Sequence, residues 1–357
     1  MLWEPGTATG LGPFPGVDPL EAARVVFTEL ASPGLPFLPE LPARGVGSDP
    51  IGRTAALLAD LHVEVGTGVW RFVFRGGRDE HRARTALTTD LDAVEEAADG
   101  YDGPVKIRII GPWSLLGSVE LAKGEKSLAD AGAVRDVTAS LAEGLRLHVG
   151  DLRRRLPRLT RVVVQVDEPL LAAVLAGELP TASGWGRLPR YEPNVVEDAL
   201  RTVLAAAAGP PRSGGASSGE TVSDGAAEGN PAGVWIGATR LDGALLRAAG
   251  AGFIGLDGAA LDTVDEDEIG EAVDAGVGLL VASVPLEARE KDPRPAMAPL
   301  HSLWKRLGFT PELLARVVAL TPVEGLERLA ADRVPGVLRR AVEAARYLEE
   351  SAAGGES

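Results

Sequence analysis

Cysteine is absent from all 357 residues. Disulfides, thiolate metal ligands and a cysteine nucleophile are therefore excluded. Aromatic residues make up 4% of the chain, so the core has to rest on Val, Leu, Ile and Ala. Basic residues are outnumbered, 36 Lys and Arg against 51 Asp and Glu, giving a formal charge of −15. Nucleic acid and anionic lipid are both bound through clustered Lys and Arg, so neither is expected as a partner. No stretch approaches the roughly 20 apolar residues of a membrane span. The opening MLWEPGTATGLGPFPG has no basic region followed by an apolar run, and a cytoplasmic protein is expected. HExxH, GxSxG and the P-loop do not occur, and no GxGxxG opens the first helix. His62, His81, His148 and His301 are the four histidines. None is paired with a second ligand at metal spacing or placed at a strand end, so each reads as a surface or packing residue.

What the chain does contain is a steady alternation of apolar strand-like runs and helical patterns. Strands are expected at 7–11, 37–41, 105–110, 161–166, 233–238, 253–256, 278–282 and 317–320. Helices are expected at 19–30, 50–61, 91–98, 131–156, 169–176, 195–207, 241–249, 266–275 and 335–350. Eight such units with a closing helix predict a (β/α)8 TIM barrel forming a single domain over 1–357. A doubly wound open sheet is the rival, weakened by the missing dinucleotide fingerprint. Two short runs, 63–65 and 69–74, flank Gly66-Thr67-Gly68 and predict an added β-hairpin after the second strand. Residues 209–233 are rich in Gly, Ser, Ala and Pro without periodicity, which predicts a disordered insert before the fifth strand, and 354–357 reads as a tail.

The most informative segment is RVVVQVDEPL, residues 161–170. A buried strand ends abruptly in Asp167, Glu168 and Pro169, because proline cannot continue the ladder. In a parallel barrel that end faces the ligand. A buried acid there needs a ligand or a donor to satisfy it, or else caps a helix. The other strand ends contribute Gly12, Pro13, Glu40, Trp113, Trp235, Gly237, Thr239, Asp257, Ser283 and Glu324. Glu40, Asp167, Asp257 and Glu324 make the mouth acidic, with Arg44 and Arg53 as candidate counter-charges. Such a set calls for an ammonium group, a hard cation or a basic side chain. Alternatively, Asp257 and Glu324 point to solvent or cap helices.

TATGLGPFPGVDP, FLPELPARGVGSDPIGR, IIGPWSLLG, VVVQVDEPLL, LLRAAGAGFIGLD and ALTPVEGL, in that order, resemble the catalytic barrel of cobalamin-independent methionine synthase, and most closely its short single-barrel forms. The resemblance implies methyl transfer from a folate or corrinoid donor to homocysteine, in methionine biosynthesis. It implies that Asp167 binds the amino group of an amino-acid substrate, that Glu40 is the second acid, and that the turn at Leu11, Gly12 and Pro13 contacts the substrate carboxylate. It also implies zinc, but the family's zinc positions fall on Trp235, Gly237, Asp257 and Glu324. Without thiolate or imidazole these make no zinc site, and no cofactor is expected. Mg²⁺, which prefers oxygen ligands, would suit Asp257 and Glu324. The expectation is a methionine-synthase-like methyltransferase barrel that has lost zinc, with divergent or lost activity. The alternative is a non-catalytic relative that binds an amino acid or serves regulation.

Overall fold

The computed structural model describes residues 4–31, 33–209, 231–237, 240–262, 264–287 and 292–353. Six parallel strands form one curled sheet. A hairpin precedes them, β1 (His62–Gly66) with β2 (Val69–Val73), and the sheet then runs β3 (Val105–Ile110), β4 (Val162–Asp167), β5 (Ala232–Gly237), β6 (Phe253–Asp257), β7 (Gly278–Val284) and β8 (Val318–Pro322), each paired to the next. Helices follow the strands and cover the outer face, so the fold is α/β and TIM-barrel-like. No helix among the described residues is long and apolar enough to cross a membrane.

The first two expected strands come out differently. Segments 7–14 and 35–40 make single parallel bridges, Ala8 to Leu320 in β8, Phe37 to Lys106 in β3, and Pro13 to Glu40 between themselves. The physical reason lies in Pro13, Pro15, Pro36 and Pro39, which have no N–H to give to a ladder. The remaining donors still pair: Leu320 N–H donates to Thr7, Thr9 N–H to Leu320, Leu35 N–H to Ala8 and Lys106 N–H to Pro36.

Other boundaries shift for local reasons. The helix expected at 50–61 stops at Ala55, and the chain turns at Asp60, whose φ is +58°. His62, expected to end that helix, instead opens β1. The hairpin forms as predicted, with Gly68 taking a φ of +86° in its turn. The polar run RDEHRAR begins a helix, Arg78–Ala97, and the helices at Pro112–Ser118, Arg294–Leu307 and Pro311–Val317 lie outside the expected set. Of the predicted insert, 210–230 lies outside the described residues, as do 354–357.

Buried apolar side chains fall into two groups. The larger fills the space between the sheet and its helices. The smaller joins Leu35, Val163, Trp235, Phe253, Leu280, Ala282 and Ala319 on the inner face. Residues alternate across a strand, so Val162, Val164 and Val166 of β4 pack outward while Val163, Gln165 and Asp167 face inward. The same alternation turns Lys106 and Arg108 of β3 inward. The sheet's interior is thus apolar along β5 to β8 and polar along β3 and β4.

Candidate functional site

The polar side of the interior is a continuous chain of ion pairs and hydrogen bonds. Lys106 Nζ donates to Gln165 Oε1 at 2.6 Å and lies 5.6 Å above the Phe37 ring. Gln165 Nε2 donates to Asp167 Oδ1 at 2.8 Å and to the Leu11 carbonyl at 3.2 Å. Arg108 then bridges two acids, Nε to Asp167 Oδ2 at 2.6 Å and Nη1 to Glu40 Oε2 at 2.5 Å. Beyond Glu40, Arg53 Nε stands 3.9 Å away, and Arg53 and Arg44 both pair with Asp90. Three guanidinium groups therefore face three carboxylates. The basic side chain that the acidic mouth requires is chiefly Arg108, which the strand-end reading overlooked. Arg53 plays the expected part only at a distance from Glu40, and Arg44 serves Asp90.

Burial sets the proton states along this chain. Burial disfavours a charged guanidinium, but the charges of Asp167 and Glu40 outweigh it and hold Arg108 protonated. Burial also lifts the Asp167 carboxyl above its ordinary range, opposed by Arg108 and Gln165. The ion pair is the state consistent with a 2.6 Å contact. Lys106 is fully buried, and desolvation pushes it down to about 7, with Asp167 pulling the other way. A base with a depressed pKa favours folding above its unfolded value, and loses that contribution as pH falls through the folded one. Lys106 thus makes stability rise with pH between about 7 and its ordinary value near 10.5. Replacing Lys106 by methionine is expected to flatten the stability–pH curve over that window. The difference between wild type and variant should change by on the order of 1–3 kcal/mol across it. Urea midpoints at closely spaced pH values would measure this, and parallel curves for the two proteins would refute it.

Asp167 and Glu168 have separate tasks. Glu168, next in sequence, points the other way and is fully buried. It accepts hydrogen bonds from Ser114 Oγ at 2.6 Å, Ser114 N at 2.8 Å and Trp113 N at 2.9 Å. It therefore caps the helix Pro112–Ser118, which follows β3, and burial pushes its carboxyl up to about 7. Gly111 makes room for it, since a Cβ there would lie 2.3 Å from Glu168 Oε1.

Above the ion-pair chain, at the carboxyl ends of the strands, opens a cavity of about 270 Å³. Arg108 and Asp167 contribute to its lining, with Leu11, Pro13, Trp235 and Glu324 around them. Trp235 is buried and donates from Nε1 to Glu324 Oε1 at 3.2 Å. Of the five residues that the resemblance places against substrate, Leu11, Pro13 and Asp167 line this cavity, whereas Gly12 and Glu40 do not. Gly12, at φ +130°, backs Arg108: a Cβ there would sit 2.8 Å from Arg108 Cδ. Glu40 lies behind the same guanidinium and accepts from it.

No protein-family model matches the chain, and no curated protein matches it. Among solved structures it is similar to a B12-independent methionine synthase from Shewanella sp. W3-18-1 in complex with selenomethionine. That match has a TM-score of 0.48 and 10% identity, over 80% of this chain and 72% of the other. A D-psicose 3-epimerase, in the presence of D-fructose, matches with a TM-score of 0.36 and 10% identity, over 72% of this chain and 83% of the other.

The four positions that the resemblance assigns to zinc do not fit the ion. Three of them converge: a Cβ on Gly237 would lie 3.6 Å from both Glu324 Oε1 and Trp235 Nε1. Yet an indole N–H is a donor, not a ligand, and it is directed at the Glu324 carboxylate. Asp257 accepts from Ala259 N at 2.9 Å and so caps its own turn. It does not line the cavity that Glu324 lines. Among the described residues, no group of three or more His, Cys, Asp or Glu side chains could hold a metal. Ser283 Oγ is buried without a hydrogen-bond partner among the described residues, and Thr239 lies outside them. The histidines are peripheral: His62 pairs with Glu80, and burial pushes His148, inside a long helix, down to about 4.

Proposed function

We propose that this chain is a single (β/α)8 barrel of the methionine-synthase-like kind, binding a small amino-acid-like ligand at its mouth without zinc. In this reading 7–14 and 35–40 are the first two staves, and their bridges to β8 and β3 support closure of the sheet. The observation that carries the functional reading is the cavity at the strand ends, floored by Asp167 in its ion pair with Arg108. A ligand amino group would meet Asp167, each of whose oxygens has one lone-pair site beyond its present donor. Methyl transfer, if retained, would draw on a folate or corrinoid donor and would have to proceed without thiolate activation by a metal. A non-catalytic binding protein is the second reading, favoured by Trp235 and Glu324, which occupy the metal's place with each other.

Two measurements test the proposal. Purified protein is expected to contain far less than one zinc per chain by elemental analysis, and a tight stoichiometric content would overturn it. Calorimetric titration with methionine or homocysteine is expected to show binding that Asp167→Asn weakens by about tenfold or more. Unchanged affinity in that variant would remove Asp167 from the site.

A further inference from the structure

We infer that the cavity takes a small carboxylate, held by the free edge of the Arg108 guanidinium, and that a ligand amino group reaching Asp167 adds less to binding than the carboxylate does. The inference rests on the reading of the mouth as a ligand site, and adds which pole of the ligand is recognised.

An acid in a ligand pocket attracts an ammonium group only as far as its charge is uncompensated. Asp167 is compensated. Its Oδ2 accepts from Arg108 Nε and its Oδ1 from Gln165 Nε2. Glu40, the second acid, accepts from Arg108 Nη1 and stands behind it, outside the cavity lining. The rim acids are engaged as well: Glu324 accepts from Trp235, and Glu327 pairs with Arg328 at 3.3 Å. The unmet valence at the floor is a donor. Arg108 uses Nε and Nη1, while its Nη2 has no hydrogen-bond partner among the described residues. The side chain lines the cavity and is 12% exposed.

The setting suits an anion. A guanidinium stays charged at any accessible pH and offers its donors in a rigid plane. Here that plane is fixed on two sides by Asp167 and Glu40 and backed by Gly12. Pro13, Pro169 and Pro322 form part of the wall and bring no competing N–H. A charge-assisted hydrogen bond in such a partly desolvated place is among the stronger polar contacts available.

The test is a ligand series on the unaltered protein, which avoids variants that fail to fold. L-Methionine, 4-(methylthio)butanoate and 3-(methylthio)propylamine share one thioether chain and differ only in which charged group they keep. By calorimetric titration the butanoate is expected to bind within about tenfold of methionine. The propylamine is expected to bind about 10- to 100-fold more weakly, the loss of one charge-assisted contact. Arg108→Lys, which keeps the charge but loses the planar fork, should reduce binding of the two carboxylates where it folds. If the propylamine binds like methionine and the butanoate does not, the inference fails while the mouth remains a ligand site. If none of the three binds, the reading of the mouth as a site for amino-acid-like ligands falls, and the inference with it.

Discussion

Replacing Glu168 by alanine is expected to lower stability by about 3–5 kcal/mol, because three buried donors lose their acceptor at once. Its carboxylate satisfies two backbone N–H groups and a hydroxyl at the start of the helix Pro112–Ser118. Each buried donor left unmet costs about 1–3 kcal/mol. The deleted side chain also leaves a void against Gly111. Glutamine is the informative control, since it keeps the volume and one acceptor oxygen but turns an amide N–H₂ towards the remaining donors. It should lose roughly half as much as alanine. Urea unfolding midpoints measure both, and a loss under about 1 kcal/mol for alanine would show that the cap is replaceable by solvent. No ligand chemistry is drawn from Glu168, so any defect in binding should stem from altered placement of the Pro112–Ser118 helix.

The pair Asp167–Glu168 also marks how far the site is legible in the sequence. A run of valines ending in two acids and a proline announces a buried strand that stops at the mouth, and β4 ends at Asp167 accordingly. The two-residue period of a strand divides the acids: Val163, Gln165 and Asp167 share the inner face, so Glu168 must face the neighbouring helix. Arg108 is signalled in the same way. VKIRII places two cations two residues apart in an otherwise apolar strand, hence on one face, where a barrel interior has to neutralise them. Residues just past the strand ends therefore show only part of the mouth, and those within the strands supply its cation. The bridges at Ala8 and Phe37 are harder to foresee, because prolines and glycines make those segments irregular while long-range pairing with β8 and β3 still positions them. Asp257 is open to both readings from sequence, and in the structure it accepts a capping bond from Ala259.

Arg108→Met is expected to cost about 3–5 kcal/mol at neutral pH, and to do so with a characteristic pH dependence. Methionine matches the stem of the side chain as far as Nε and keeps its packing against Gly12, so the variant removes the guanidinium alone. Without the guanidinium, Asp167 and Glu40 share one buried region with no cation between them, leaving Gln165 as the donor to Asp167. Burial already raises the Asp167 carboxyl, and losing its strongest opposing partner must raise it further. A carboxyl whose folded pKa exceeds its unfolded value contributes stability below the unfolded pKa, and loses it as pH rises through the folded one. The deficit of the variant relative to wild type should therefore be greatest at pH 7 and shrink as pH falls towards about 4. Adding Asp167→Asn to Arg108→Met should recover part of the loss at pH 7, because the unpaired charge is removed with little change of shape. The double-mutant cycle is then expected to give a coupling of about 1–3 kcal/mol. Independent, additive effects would mean that the two side chains do not form a working ion pair. The consequence for binding runs in parallel: an Arg108 engaged through Nε and Nη1 is held rigid, so losing either acid should also weaken a ligand that depends on its remaining donor.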